Sequence, residues 1–210
     1  MNRLWPLLGV LTCLLHAPAA RASDDEGKQA LLPLRLYVFA MGVVPHGEDT
    51  GVPGIGASGF LLLGPFEMGA TLTGETSIIG YHRAGLGMHA GLRVPIGRFE
   101  LDAAATLGGA WQTMDGSFLS DDPGASGSIG FVGGRAGVDY VFHRSDSTGT
   151  QASLALTFSH EQDIEPYTVE YTYVEDSSWL WDSEPTVQTG RKRIGLDRTA
   201  IMLALGIGFD

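Results

Sequence analysis

Ser159-His160-Glu161 sets a hydroxyl, an imidazole and a carboxylate side by side, the three groups of a nucleophile, base and orienter relay. The surrounding residues, Thr150 to Gln162, alternate as a strand, and adjacent strand residues point to opposite faces. His160 then faces away from Ser159 and Glu161, so the three cannot converge on one reacting atom, and no catalytic residue is assigned. His46, His82, His89 and His143 are dispersed without metal-ligand spacing. No metal site follows from them, and nothing points to a cofactor.

The same parity, applied along the chain, collects a larger set of chemically able residues. Glu67, Glu75, His89, Arg93, Glu100, Asp102, Arg135, Asp139, Glu161 and Arg198 all fall opposite the apolar faces. Enclosed in a narrow lumen, such charges must pair, and the expectation is a structural salt-bridge plug. If Arg93, Arg135 and Arg198 exchanged carboxylate partners, the same residues would make a small gated ion path. A third set lies in residues 163–195, where Tyr167, Val169, Tyr171 and Tyr173 alternate with Thr168, Glu170 and Thr172. That pattern extends strands seven and eight into a protruding hairpin tipped by Trp179-Leu180-Trp181. Tyr167, Tyr171, Tyr173, Trp179 and Trp181 are its candidate surface-binding residues.

The elements that position these residues are blocks of about ten residues in which apolar side chains alternate with Gly, Ser, Thr and a few charges. Eight are readable: Leu34 to Val44, Ile55 to Gly64, Phe66 to Thr76, Ala84 to Val94, Arg98 to Gln112, Ser128 to His143, Thr150 to Gln162 and Leu196 to Phe209. In the fifth, Phe99, Leu101, Ala103, Ala105, Leu107 and Trp111 oppose Glu100, Asp102, Thr106 and Gln112. The first two blocks are apolar on both faces, which leaves their register open. No lysine occurs between Gln29 and Arg191, whereas a sheet with one face in water is usually rich in it. Lipid is the expected solvent of the apolar face, and only a closed β-barrel satisfies every backbone group there without helices.

Connections alternate in length. Gly64-Pro65, Pro95 to Gly97 and Arg144 to Gly149 are short; Pro45 to Gly54, Ser77 to Arg83, Thr113 to Gly127 and Asp163 to Gly195 are longer and rich in Gly, Pro, Asp and Ser. Short periplasmic turns and long extracellular loops are the expected asymmetry of an outer-membrane barrel. Phe66, Phe99, Tyr140, Phe142 and Phe209 are placed in one interfacial girdle, with Trp111 and Tyr81 toward the other.

Composition narrows the partners. The formal net charge of -11 argues against nucleic acid. Residues 1–22 read as a secretory signal: Arg3 is the positive region, Leu4 to Leu15 the apolar stretch, and Ala20-Arg21-Ala22 the cleavage site. Cys13, the single cysteine, leaves with that segment, so no disulfide framework remains. Residues 23–33 form an N-terminal periplasmic tail, and 34–210 the barrel.

The final strand, Ile201-Met202-Leu203-Ala204-Leu205-Gly206-Ile207-Gly208-Phe209, alternates to a closing aromatic. With it, the chain resembles the small eight-stranded outer-membrane barrels of the OmpX/OmpA-transmembrane type. The resemblance implies that Ile201, Leu203, Leu205, Ile207 and Phe209 act as an assembly signal for the barrel assembly machinery, although Asp210 follows the aromatic. It also implies an up-and-down antiparallel barrel in contact with outer-membrane lipid and lipopolysaccharide. The functional expectation is a monomeric, non-enzymatic outer-membrane protein with a structural or surface recognition and adhesion role and an unnamed extracellular partner. Its alternatives are the gated channel, a lipid-modifying outer-membrane enzyme, and a soluble periplasmic calycin-like ligand-binding barrel with its apolar side inward.

Overall fold

The computed structural model describes residues 21–23, 29–31, 33–46, 51–77, 80–114, 124–145, 147–175 and 186–209, with backbone alone for 21–23, 29–31, 173–175 and 186. The alternating blocks become eight strands: β1 Leu34–Pro45, β2 Val52–Leu63, β3 Phe66–Thr76, β4 Tyr81–Ile96, β5 Phe99–Met114, β6 Ala125–Ser145, β7 Thr150–Ile164 and β8 Arg198–Phe209. Each pairs antiparallel with its chain neighbours, and β8 returns to pair with β1, from Arg198 opposite Pro45 to Phe209 opposite Leu34. Closure leaves no unpaired edge, which a sheet surrounded by lipid requires. A separate antiparallel pair, Arg21–Ser23 with Gln29–Leu31, precedes the barrel and spans the expected cleavage site.

Period-two alternation decides the two faces. Ile55, Leu86, Met88, Leu107, Leu156, Ile201, Leu203, Leu205 and Ile207 all project outward and are exposed. Apolar side chains cover the outer face of every strand, more than a monomer in water exposes. The inward positions carry the charges together with Tyr37, Phe39, Met41, Val43, Val52 and Phe60. The calycin-like alternative is thereby overturned, since it needs the apolar face inside. The open register of the first two strands is also resolved. Odd residues of β1 point inward, so both of its faces are apolar because one meets lipid and the other builds an apolar sector of the lumen.

Several strands are longer than the sequence blocks. β4 begins at Tyr81 rather than Ala84, so the connection expected over Ser77 to Arg83 contracts to Ser77 to Gly80, tied by the Ser77 amide donating to the Tyr81 carbonyl at 2.7 Å. Tyr81 is consequently buried inside and is not part of an outer girdle, as its aromatic character had suggested. Phe66, Phe99, Tyr140, Phe142, Phe209 and Trp111 do project outward, and Phe99 meets Tyr140 with ring centroids 5.3 Å apart. A bulge between Val141 and His143 shifts the register of β6 against β7 beside that girdle.

Residues 163–195 do hold a hairpin, but it is not a continuation of β7 and β8. Tyr167–Glu175 and Thr186–Ile194 form their own two-stranded ribbon. Glu165 at φ 54 and Gly195 at φ +93 break the backbone at its two roots. The left-handed conformation at Gly195 suits a residue without Cβ. The ribbon leans on β5 and β6: Tyr167 donates its hydroxyl to the Ser128 carbonyl at 3.4 Å, and the Gly195 amide donates to Gln112 at 3.4 Å. Trp179, Trp181 and the hairpin tip lie outside the described residues.

Candidate functional site

All ten charged or ionisable residues singled out by parity line the inner wall, where they gather into two clusters, each built around one phenylalanine. The cluster toward the short turns centres on Arg93 of β4. Its Nε donates to Glu67 at 2.9 Å, and its Nη1 donates to Asp139 at 2.6 Å, to Tyr37 at 3.1 Å and to Glu100 at 3.2 Å. Tyr37 in turn donates to Asp139. One guanidinium therefore ties together β1, β3, β4, β5 and β6. Beside it Arg135 donates to Asp102 at 2.7 Å and lies 3.6 Å from Glu67. Arg135 covers the Phe60 ring at 4.4 Å, while His89 stacks on the same ring at 5.3 Å and bonds Thr71. Such guanidinium and ring contacts add to the pairing where water is excluded.

The second cluster lies toward the barrel mouth, under the ribbon. Arg83 donates to both oxygens of Asp163 at 2.9 Å and reaches Glu161 at 3.8 Å. Arg198 donates to Glu161 at 2.8 Å through Nε and also pairs with Glu75, which accepts from Tyr81 at 3.3 Å. Arg83 and Arg198 both lie over Phe131, at 5.4 and 5.8 Å. The arrangement is a chain, Asp163 to Arg83 to Glu161 to Arg198 to Glu75, rather than a hub. Ile194 and Val43 are completely buried at the same end, Val43 in one apolar cluster with Val52.

Between the clusters remains a cavity of about 50 Å³, lined by Thr73, Thr106, Thr157 and Ser159 beside Phe39 and Met41. It can hold a few water molecules, not a continuous water column. The lumen is crowded enough that a Cβ at Gly208 would collide with the Arg35 side chain.

Three buried charged participants escaped the sequence reading, as did the tyrosines Tyr37 and Tyr81 that bond to the clusters. Arg35 approaches Glu100 at 3.8 Å, but it sits in the first block, whose register the apolar pattern left open. Arg83 and Asp163 were assigned to connections because strand pairing, not polarity, carries β4 and β7 beyond the last apolar alternation. Extending parity by one turn of alternation at those block ends would have found both.

At Ser159-His160-Glu161 the side chains alternate inward, outward and inward. One histidine contact lies outside the four considered together in the sequence. His46 and His160 meet on the outer wall, ring centroids 5.4 Å apart, and both lie against Thr199, at 3.4 and 3.2 Å. Strand pairing produced this contact between residues distant in sequence. Among the described residues no group of three or more His, Cys, Asp or Glu could hold a metal ion. On the ribbon, Tyr167 is exposed at the root and Tyr171 packs over Gly190; Tyr173 is placed by its backbone only, opposite Gln188. Ile201, Leu203, Leu205, Ile207 and Phe209 form one outward row on β8.

No protein-family model matches the chain, and no curated protein matches it in sequence. Among solved structures it is similar to Neisserial surface protein A at 9% identity and a TM-score of 0.52, over 84% of this chain and 95% of that one. The N-terminal β-barrel domain of Pseudomonas aeruginosa OprF aligns at 15% identity and a TM-score of 0.40, over 83% of this chain and 96% of that one. The closed antiparallel order, the apolar outer wall and the likeness to the neisserial protein together establish the fold as that of a small eight-stranded transmembrane barrel of the outer-membrane type.

Proposed function

We propose that this chain is a monomeric, non-enzymatic outer-membrane protein whose lumen is structural and whose ribbon acts in recognition at the cell surface. The observation that carries the reading is the occupied lumen. Arg93 and Arg83 each engage carboxylates from across the barrel, and the cavity left between the two clusters is only about 50 Å³. With transport through the interior disfavoured, the outer wall and the ribbon remain as working surfaces. The row ending at Phe209 supports insertion by the barrel assembly machinery, and the apolar outer wall supports contact with lipid and lipopolysaccharide.

Deleting residues 176–185 from a chain that still shows the heat-modifiable gel mobility of a folded barrel tests the reading. Whole-cell binding to a host-cell or matrix surface should fall while envelope integrity is kept. Unchanged binding with a weakened envelope would leave a purely structural barrel.

The small gated channel stays as a second reading because the lumen arginines Arg83, Arg93, Arg135 and Arg198 each span more than one carboxylate. Arg83 reaches both Asp163 and Glu161, and Arg135 reaches both Asp102 and Glu67. Planar-bilayer recording separates the two: a closed wild type is expected, and sustained porin-sized currents would reject the plug.

A further inference from the structure

On the outer wall, polar side chains from three adjacent strands converge. His160 of β7 stands directly opposite Thr199 of β8, and Thr199 in turn stands opposite Val44, two residues before His46 at the end of β1. Nε2 of His46 and Nδ1 of His160 both face the Thr199 hydroxyl, at 3.4 and 3.2 Å, with the two rings inclined at 47°. The backbone fixes both histidines. The His46 amide donates to the Asp197 carbonyl at 2.6 Å, next to the buried Pro45, and His160 is held mid-strand between Gly134 and Thr199. Gly134 leaves the flank of His160 open, since a Cβ there would meet only the Ala104 carbonyl, at 3.6 Å.

The height of this trio on the barrel follows from β8. Thr199 lies ten residues (209 minus 199) from Phe209 of the short-turn girdle. Ten residues of a strand tilted by about 40° climb about 25 Å, the height of the apolar band of a small barrel. Immediately below the trio, Phe158 and Ile201 are paired with each other and, like Val44, are exposed apolar residues. The imidazoles therefore sit where lipid gives way to headgroups and water, with an apolar floor and a side open to solvent ions. At 3.4 Å the His46 contact is long for an N–H···O bond, whose usual range is about 2.7–3.2 Å. The two nitrogen to hydroxyl distances instead match the spacing of ligands around a tetrahedral zinc ion, about 3.3 Å when its bonds are about 2.0–2.1 Å.

We propose that His46, His160 and Thr199 form a surface site for a divalent cation of the zinc class, which ties β1, β7 and β8 together at the seam where the barrel closes. The two imidazole nitrogens are the ligands, the Thr199 hydroxyl lies at a third corner, and water fills the remainder. Imidazole selects zinc, copper(II) and nickel over calcium and magnesium, which require oxygen ligands. All three protein groups are uncharged, so the ion keeps its charge at the site, and a chain of net charge -11 attracts it. The site stands apart from the recognition role proposed for the ribbon.

The test is calorimetric titration of zinc chloride into the untagged mature chain in neutral detergent micelles, with folding checked by heat-modifiable mobility. Wild type should take up a single zinc ion. His46→Ala and His160→Ala should each abolish the uptake, and Thr199→Val should weaken it about tenfold, as removal of a group that supports a metal's ligands commonly does. His82→Ala is the control: His82 also bonds a threonine, Thr76, at 2.7 Å, and its loss should leave zinc uptake unchanged. Because an ion held only by the folded barrel stabilises it, zinc should raise the urea midpoint of wild type and not that of either histidine variant. A folded wild type that takes up no zinc would overturn the site, as would unchanged uptake in either histidine variant. An equal loss in His82→Ala would also reject it, marking unspecific histidine binding. Where a variant does not fold, wild type decides through diethyl pyrocarbonate labelling. Zinc should shield His46 and His160 and leave His82 and His143 reactive, and labelling of all four that is the same with and without zinc would sink the proposal.

Discussion

The two charge clusters of the lumen use the same residue types in different geometries. Around Phe60, Arg93 is a hub with Glu67, Asp139, Glu100 and Tyr37 as spokes, deep in the barrel and ringed by five strands. Around Phe131, Arg83 and Arg198 are links in a linear chain that ends near the mouth. A hub shares one cation among several groups: removing its centre takes the nearest cation from Glu67, Glu100 and Asp139 at once, leaving Glu67 with Arg135 at 3.6 Å and Glu100 with Arg35 at 3.8 Å. A chain offers neighbouring partners, since Glu161 already lies between two arginines. The lower cluster is suited to hold the barrel wall, and the upper one to yield when the mouth is disturbed.

The largest effect is expected from Arg93→Met, which leaves Glu67, Glu100 and Asp139 without their shared cation. Breaking a buried pair by removing one partner costs about 3–5 kcal/mol, and urea unfolding of the protein in lipid vesicles should register a loss of that size. A loss no greater than that of Arg83→Met would dissolve the contrast between hub and chain.

For Arg83→Met the expected loss is smaller, about 2–3 kcal/mol, because Asp163 lies at the mouth, where water can reach it after a local rearrangement. Small, brief conductances in planar bilayers should accompany it and be absent from wild type. Replacing the partner as well, in Arg83→Met/Asp163→Leu, sharpens the comparison. Exchanging a buried ion pair for apolar residues is often close to neutral, so the double variant should regain most of the lost stability in the same titration.

Phe60→Leu and Phe131→Leu probe the aromatic centres. Each keeps most of the volume, so each should cost about 1 kcal/mol. Phe60→Leu should be the more costly of the two, because Arg135 approaches its ring to 4.4 Å, whereas the guanidinium groups stand 5.4 and 5.8 Å from Phe131. Equal losses would show that ring volume, not guanidinium contact, matters. The smallest effect is expected outside the barrel, at the exposed pair of Arg191 with Glu170, where Glu170→Ala should change unfolding by no more than about 0.5 kcal/mol.

Most of the barrel was legible in the sequence because a strand with lipid on one side and a packed lumen on the other must alternate strictly, and alternation survives without knowledge of neighbours. That is why Glu100 and Asp102 could be placed opposite Phe99 and Leu101, and Arg198 opposite Ile201, before any partner was known. The outward row of β8 was legible for the same reason. What parity could not supply was pairing. It marks Arg93 as inward but not that Arg93, rather than Arg135, stands where four strands deliver their polar groups. Nor does it show that His46 and His160 flank Thr199, since that contact depends on the stagger with which β8 closes between β1 and β7.

By itself the sequence determined the strand set, the lipid-facing surface of most strands and the inward charges, because each follows from local period-two chemistry. It also marked the aromatic ribbon from the alternation of Tyr167 to Tyr173. Only the tertiary structure decided the register of β1 and β2, whose apolar residues satisfy lipid on one side and the lumen core on the other, and the inward place of Arg35, Arg83, Tyr81 and Asp163. It also broke the ribbon away from β7 at Glu165 and Gly195 and leaned it on β5 and β6. These outcomes share a physical cause: each depends on which distant strand lies alongside, and strand order and stagger are set by closure of the whole sheet rather than by any segment within it.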